Sequence, residues 1–189
     1  MSLFWATTQD QALLAMVIQE GRPAAEAKRV ILGRTAVQKV IYFLQVLGVP
    51  MGYRFSIHHY GPFSDDILSD MEWLIADSVV VDQASDARYS NYSPGPQINE
   101  LLGRHPSFVA TFRKQVSTVC SALAPMPPQH LELMATLHYA YRTEKGRGGS
   151  GPWKPRVVET FKSFKGEKFS GTDVDRTYDR MAEIGLVEN

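Results

Sequence analysis

The sequence predicts a mainly α-helical protein with a small β-hairpin, an α+β fold. Apolar residues recur at intervals of three and four over most of the chain, which is the spacing of one helix face. Strand-like alternation is confined to short stretches between residues 53 and 92. With 189 residues and 44% hydrophobic content, the chain is long enough to bury a core without cross-links.

Composition and charge limit the possible classes of protein. Cys120 is the only cysteine, so an intramolecular disulfide is impossible, and we expect a cytoplasmic protein without a signal peptide or membrane span. The net charge is zero, but its sign alternates along the chain. Residues 22–60 carry six bases and one acid, residues 61–100 eight acids and one base, and residues 101–150 six bases and two acids. Such blocks either pair within the fold or present separate charged faces to partners.

The N-terminal half predicts helices, a strand and a hairpin. The best-defined element is a helix from Thr35 to Leu47, in which Thr35 and Gln38 form a capping-box pattern and Gly48 ends the helix. Its apolar residues recur at helical spacing, which is typical of core packing. The other predictions are helices over 8–20, 24–32 and 64–77, a strand over 53–60 that Gly61-Pro62 breaks, and hairpin strands over 78–83 and 88–92. Helix, helix and hairpin follow in the order of a winged-helix module, so we expect a winged-helix-like core.

The C-terminal half predicts further helices. These cover residues 97–103, 107–123, 129–143 and 155–164, and a last helix begins at Thr172. The stretch GRGGSGP at residues 146–152 has the composition of a flexible linker. We therefore predict a helical, winged-helix-like domain over residues 1–145, a linker over 146–152, and a C-terminal helical segment over 153–189 that packs on the main domain.

The sequence contains no pattern that predicts an enzyme, a cofactor site or a metal site. His58-His59 are followed by Asp65 and Asp66, but adjacent residues on a strand point to opposite faces and do not converge on one ion. Cys120 lies in a predicted helix between Val119 and Ser121, which is typical of a buried cysteine. We expect no catalytic residue, no cofactor and no metal.

Charge and exposed aromatic residues indicate where a partner would bind. The predicted helix over 64–77 carries five acids and no base, so phosphates would repel it. It is therefore a poor DNA-reading helix and a good surface for a basic protein. The predicted protein-partner residues are Asp65, Asp66, Asp70, Tyr89 and Tyr92, with a core role left open for either tyrosine. The alternative, nucleic-acid binding, would use Arg34, Lys39 and Arg54.

One segment resembles a known family. Residues 33–74 contain VQKVIYFLQ at 37–45 and YGPF at 60–63, and this pattern is similar to that of the Panacea-domain antitoxins (SocA-like) and of the YwgA-like uncharacterised bacterial proteins. The chain departs from the pattern in having valines where leucines are usual, and in its long helical C-terminal half. The resemblance implies a mostly helical domain with a small β-wing and no known catalytic centre.

What the resemblance implies for function is binding. Antitoxins of this kind neutralise a toxin or pass it to a protease, and no functional residue transfers from them to this chain. The expected function is a non-enzymatic, antitoxin-like cytoplasmic protein-interaction module that neutralises or presents a partner protein, for which a toxin is one candidate. The alternative is a winged-helix DNA-binding transcriptional regulator.

Overall fold

The computed structural model describes residues 5–86, 88–148 and 150–189, and it confirms the predicted mainly helical fold with a small hairpin. The helices are α1 (Gln9–Ala27), α2 (Arg34–Val46), α3 (Asp65–Ala76), α4 (Ile98–Gly103), α5 (Pro106–Leu123), α6 (Pro128–Gly146), α7 (Trp153–Lys165) and α8 (Gly171–Glu183). The strands are β1 (Ser56–His58), β2 (Gly61–Phe63), β3 (Val80–Asp82) and β4 (Tyr92–Pro94), which form two antiparallel hairpins, β1–β2 and β3–β4.

The described residues form two compact units. The first unit contains the residues up to Phe55 and Ser64–Pro128, and the second contains Ser56–Phe63 and Gln129–Asn189. This division differs from the predicted one, which placed the boundary in a linker at residues 146–152. The reason is that α6, which precedes the glycine-rich stretch, shares its core with α7 and α8.

Helix α1 is the central helix of the first unit. Every residue from Gln11 to Ile18 is buried, and the helix packs against α5, α2, α3, α4 and strand β4. A helix that is covered on several sides does not show a single apolar stripe. The periodicity of apolar residues therefore does not define where α1 ends.

The predicted end of α1 at Gly21–Pro23 is wrong, as is the predicted second helix over 24–32. Helix α1 continues through Pro23 to Ala27, and a loop follows. Proline costs the helix one backbone hydrogen bond, which the packing of α1 offsets. Gly21 is buried there, and a Cβ at this position would lie 3.5 Å from side-chain carbons of Leu32 and Ala124.

Helix α2 has the predicted core role, but its start differs from the prediction. The residues Val37, Val40, Ile41 and Leu44 are at most 1% exposed. The helix begins at Arg34 after Gly33, so the predicted capping box at Thr35 is wrong.

The two glutamines of the VQKVIYFLQ stretch bind backbone groups outside the helix, and Gln38 does not form the predicted capping box. The Gln38 amide donates to the Ser64 carbonyl (2.9 Å) and accepts from the Ser64 N–H (3.0 Å). The Gln45 amide donates to the Tyr53 carbonyl (3.0 Å). These bonds attach the segment before α3 to helix α2, so a structural role explains both glutamines.

The second unit has a separate apolar core between α6, α7 and α8. At its C-terminal end Gly185 adopts a left-handed conformation (φ 74°), and the Leu186 N–H donates to the Met181 carbonyl (2.9 Å). Leu186 thus folds back onto the last turn of helix α8, as is common after a glycine in this conformation. The core residues are Leu133, Leu137, Ala140, Tyr141, Trp153, Val157, Phe161, Val174, Tyr178, Met181 and Val187.

The hairpin β1–β2 was not predicted. Gly61 and Pro62 were expected to break a strand, but they begin the returning strand, with Ile57 opposite Pro62 and His58 opposite Gly61. Gly61 follows the tight turn and has a positive φ (88°), a backbone conformation that glycine adopts without steric strain.

Three charged side chains attach the hairpin β1–β2 to the helices of the second unit, and we call Glu132, Lys165 and Lys168 the Glu132 cluster. The Lys165 ammonium donates to Glu132 Oε1 (2.7 Å) and to the carbonyls of His58 (3.5 Å) and His59. The Lys168 ammonium donates to both Glu132 oxygens (2.8 and 3.0 Å). The side chains of Glu132 and Lys165 are only 3% and 2% exposed, so these two residues form a buried ion pair, and Lys168 is partly exposed beside it.

Candidate functional site

Helix α3 exposes a row of carboxylates. Its buried side consists of Ile67, Met71 and Leu74, which places Asp65, Asp66 and Glu72 among the exposed residues. Within the described residues, none of these three carboxylates takes part in an ion pair. The helix therefore carries three negative charges that the described part of the chain leaves unneutralised.

Trp73 of the same helix stacks on Trp5, which lies in the segment before α1. The rings of Trp5 and Trp73 have centroids 5.7 Å apart and planes 26° apart. The backbone N–H groups of Trp5 and Ala6 both donate to one oxygen of Asp77 (2.7 Å each), which positions Trp5 at the C-terminal end of α3. Trp5 is 63% and Trp73 46% exposed, an unusual exposure for two indole rings in contact.

Together these residues form one surface, which we call the acidic–aromatic surface: Asp65, Asp66, Glu72, Trp5 and Trp73. Asp66 and Trp73 are seven residues apart and so lie on the same side of α3, about 10 Å apart along the axis. Glu72 is adjacent to Trp73 in sequence. The surface thus combines negative charge with a flat apolar contact.

Asp70 was predicted to bind a partner, but it belongs to an internal hydrogen-bond network. Its two carboxylate oxygens accept from the Tyr53 hydroxyl (2.8 Å) and the Gln11 amide (2.8 Å). Tyr53 and Gln11 are 3% and 4% exposed, and burial together with the Asp70 charge raises the pKa of Tyr53. Asp70 is therefore a structural residue, and a substitution there would confuse loss of stability with loss of binding.

We expect the substitution Asp70→Ala to lower the free energy of unfolding by about 2–3 kcal/mol, because it leaves a buried hydroxyl and a buried amide without their acceptor. The matched control is Asp66→Ala on the same helix. Loss of the Asp66 carboxylate removes only a favourable helix-dipole interaction of about 0.3–1 kcal/mol. Urea denaturation of both variants measures the difference. Equal destabilisation would contradict the internal role of Asp70.

The two predicted tyrosines have different environments. Tyr89 is 67% exposed at the end of the hairpin β3–β4, beside Arg88, and is available to a partner. Tyr92 is 3% exposed, and its backbone N–H donates to the Leu32 carbonyl (2.9 Å). The prediction that Tyr92 contacts a partner is therefore wrong, because strand β4 places its ring in the core.

The three predicted nucleic-acid contacts also differ. Arg34 and Arg54 are exposed. Lys39 is only 1% exposed and makes its interactions inside the protein, so the prediction that it contacts phosphate is wrong. Lys39 lies on the buried side of α2 between Gln38 and Val40, and its long side chain is enclosed by the same packing that buries its neighbours.

The buried reactive groups have structural environments. The Cys120 thiol donates to the Val17 carbonyl (3.8 Å), and burial raises its pKa to about 12, which makes it a poor nucleophile. Glu144 accepts from the Thr160 hydroxyl (2.6 Å) and pairs with Arg147 and Arg156 (2.6 and 3.1 Å). The Thr160 hydrogen bond and the two arginines lower the pKa of Glu144, which therefore stays ionised.

The described residues contain no group of three histidine, cysteine, aspartate or glutamate side chains with the geometry of a metal site. His58 and His59 belong to the second unit, whereas Asp65 and Asp66 belong to the first. His58 contacts the Ser56 hydroxyl (3.1 Å), and its ring packs on Phe63. Within the same ranges, no helix has both the length and the apolar character needed to cross a membrane.

The sequence predicted the acidic half of the surface but missed the tryptophans. Trp73 falls outside the apolar stripe of α3, and a large aromatic residue on an otherwise acidic face was the available signal. Trp5 could not be found in this way, because it joins the surface through the side chain of Asp77, which is distant in sequence.

No protein-family profile matches this chain, and no curated protein has a significantly similar sequence.

Proposed function

We propose that this protein is a non-enzymatic, antitoxin-like interaction module of the cytoplasm, which binds a basic partner protein through the acidic–aromatic surface and neutralises or presents it. The observation that carries the proposal is that three carboxylates without an ion pair among the described residues share helix α3 with Trp73, whose exposed ring stacks on exposed Trp5. Tryptophan is among the residues that contribute most to protein interfaces, and its neighbours exclude water from the contact.

Charge supports a basic partner. Unneutralised carboxylates attract a positively charged surface over about one Debye length and raise the rate of association. They also disfavour acidic partners, because like charges in an interface are costly. The partner that fits is a protein with arginine or lysine residues around a flat apolar patch that receives Trp73.

The helix also disfavours the alternative of a winged-helix regulator that reads DNA with α3. Asp65 and Asp66 occupy the first turn of α3, where such a helix would approach the phosphates, and repulsion would weaken binding. Helix α3 is therefore better suited to binding a protein than to reading DNA.

A charge-reversal experiment tests the proposal. The partner is first isolated with the tagged protein after nuclease treatment, then purified and titrated with the variant Asp66→Lys/Glu72→Lys. We expect the affinity to fall at least about 100-fold, with the association rate decreasing and its salt dependence largely lost. Trp73→Ala is expected to lower the affinity by a similar factor, mainly by faster dissociation.

The matched control is Glu159→Lys/Glu167→Lys, which changes the net charge equally at two exposed acids of the second unit. This control should bind like the original protein. Thermal denaturation of each variant separates folding from binding. If the α3 variants and the control bind with the same affinity, the acidic–aromatic surface is not the site.

A further inference from the structure

A second charged surface lies in the first unit, between the α1–α2 loop and the hairpin β3–β4. We call it the basic loop surface: Lys28, Arg29, Arg34, Ile31 and Tyr89. All five residues are exposed, with Ile31 at 61% and Tyr89 at 67%. It differs from the acidic–aromatic surface in residues and in sign of charge.

The loop and the hairpin are in direct contact. The Tyr92 N–H donates to the Leu32 carbonyl (2.9 Å), and a Cβ added to Gly33 would lie 2.7 Å from the Ser90 carbonyl oxygen. Only glycine permits this close approach of two backbones. The contact places the end of the loop, directly before Arg34, beside the part of the hairpin that carries Tyr89.

Helix α1 supports the same hairpin from the other side of the loop. The Arg22 guanidinium donates to the Asn91 side chain (2.7 Å), the Tyr92 carbonyl (3.1 Å) and the Gln83 side chain (3.3 Å). A planar guanidinium with several acceptors is a rigid support. Arg22 therefore attaches the hairpin to helix α1, whose C-terminal end leads into the loop that carries Lys28 and Arg29.

The surface has an excess of positive charge. Of the nearby acids, Glu26 pairs with Arg22 (2.6 Å) and Asp86 pairs with Arg88 (2.6 Å). Within the described ranges, Lys28, Arg29 and Arg34 make no ion pair. Three cations of this surface thus remain without an ion pair among the described residues.

Arg29 occupies this position at a conformational cost. Its φ is 56°, a left-handed conformation that is unfavourable for a non-glycine residue and that glycine adopts freely. Glycine is the usual residue at such a helix end, and arginine replaces it here. Arginine at this position adds a positive charge to the surface. The substitution Arg29→Gly therefore removes this charge and suits the backbone conformation.

We infer that the basic loop surface binds single-stranded nucleic acid. The three cations contact successive phosphates, and an unpaired base stacks on Tyr89, whose other neighbour is the Arg88 guanidinium at 5.8 Å from the ring centroid. Cations along a groove combined with an exposed ring are the usual elements of such a site. A membrane surface would instead require a larger group of lysines and arginines, typically four to eight.

The test is fluorescence anisotropy with a labelled oligothymidylate of about 12 nucleotides, titrated at several salt concentrations. Three phosphate contacts predict that log K falls with log salt concentration with a slope of about −2. In Arg29→Gly we expect a slope smaller by about 0.7 and weaker binding, while the unfolding temperature stays equal or rises. In Tyr89→Leu the affinity should fall roughly tenfold with the slope unchanged.

The control is Lys162→Gln, an exposed lysine of the second unit, which should not change binding. Parallel titrations use a duplex of the same length and vesicles of phosphatidylcholine with a minority of phosphatidylserine. Stronger binding to the duplex or to the vesicles would overturn the assignment to single strands. Binding that Lys28→Gln/Arg34→Gln leaves unchanged would overturn the basic loop surface as the site.

Discussion

Replacing Glu132 by glutamine is expected to lower the free energy of unfolding by about 3–5 kcal/mol, the cost of removing one partner from a buried ion pair. The Lys165 ammonium, whose side chain is 2% exposed, would lose its anionic partner and keep neutral acceptors: the carbonyls of His58 and His59 and the amide oxygen of the new glutamine. Burial already lowers the pKa of Lys165, and Glu132 opposes that shift. Lys168 is less affected, because its side chain is 33% exposed and reaches water.

A double-mutant cycle isolates this interaction. The variants are Glu132→Gln, Lys165→Met and both together, and urea denaturation gives the free energy of unfolding of each. We expect the double variant to be more stable than Glu132→Gln alone, because it buries no unpaired charge. The control Glu167→Gln, at an exposed acid, should change stability by no more than about 0.5 kcal/mol.

The substitution Glu132→Gln should also have a local effect on the hairpin β1–β2, which hydrogen exchange can measure. Because Lys165 binds the turn of the hairpin β1–β2, Glu132→Gln should increase exchange over residues 56–63 before the rest of the second unit. If the free energies of the single variants simply add and exchange in the hairpin stays unchanged, the Glu132 cluster does not attach the hairpin.

Helices with one buried side could be predicted from the sequence, and long-range polar contacts could not. The apolar stripe of α2 predicts its core position correctly, because its period depends only on nearby residues. Helix α1 extends through Pro23 because tertiary packing offsets the missing hydrogen bond, a contribution that local rules omit. Gln38 fits a capping box by spacing, yet its amide binds Ser64, 26 residues away.

The residues of the candidate sites show the same difference between local patterns, which could be predicted, and long-range contacts, which could not. Charge and exposure of Asp65 and Asp66 could be predicted, because both fall off the apolar stripe of α3. Asp70 has the same charge and lies on the same helix. Its internal role could not be predicted, because its partners Tyr53 and Gln11 come from distant segments. Tyr89 and Tyr92 are three residues apart in one hairpin, and only the pairing of β4 with β3 and its contact with Leu32 decide which ring is buried.

The second large expected effect is a loss of stability in acid that His138 causes. This residue of α6 is 3% exposed, and its ring lies near that of Tyr141. Burial, helped by the Arg142 charge and opposed by a hydrogen bond with the Leu186 backbone, lowers the pKa of His138 to about 4. In the unfolded chain the pKa is that of an ordinary histidine, about 6.5.

The sign of the effect follows from these two pKa values. Above pH 6.5 the imidazole is neutral in both states, and it makes no pH-dependent contribution. Below pH 6.5 the unfolded state binds a proton that the folded state rejects until about pH 4, so stability falls by about 1.4 kcal/mol per pH unit. Over the whole window the loss is about 3 kcal/mol, and it is complete below pH 4.

The measurement is the free energy of unfolding between pH 7 and pH 4 for the original protein, His138→Gln and His130→Gln. Glutamine at position 138 keeps an N–H donor for the Leu186 carbonyl but does not titrate. His130 is an exposed histidine of the same helix and serves as the matched control. Carboxylates contribute equally to all three curves, so His138→Gln alone should lose about 3 kcal/mol less than the others over this range. Three parallel curves would mean that His138 is protonated in the folded protein, and that the surroundings of α6 accommodate an imidazolium.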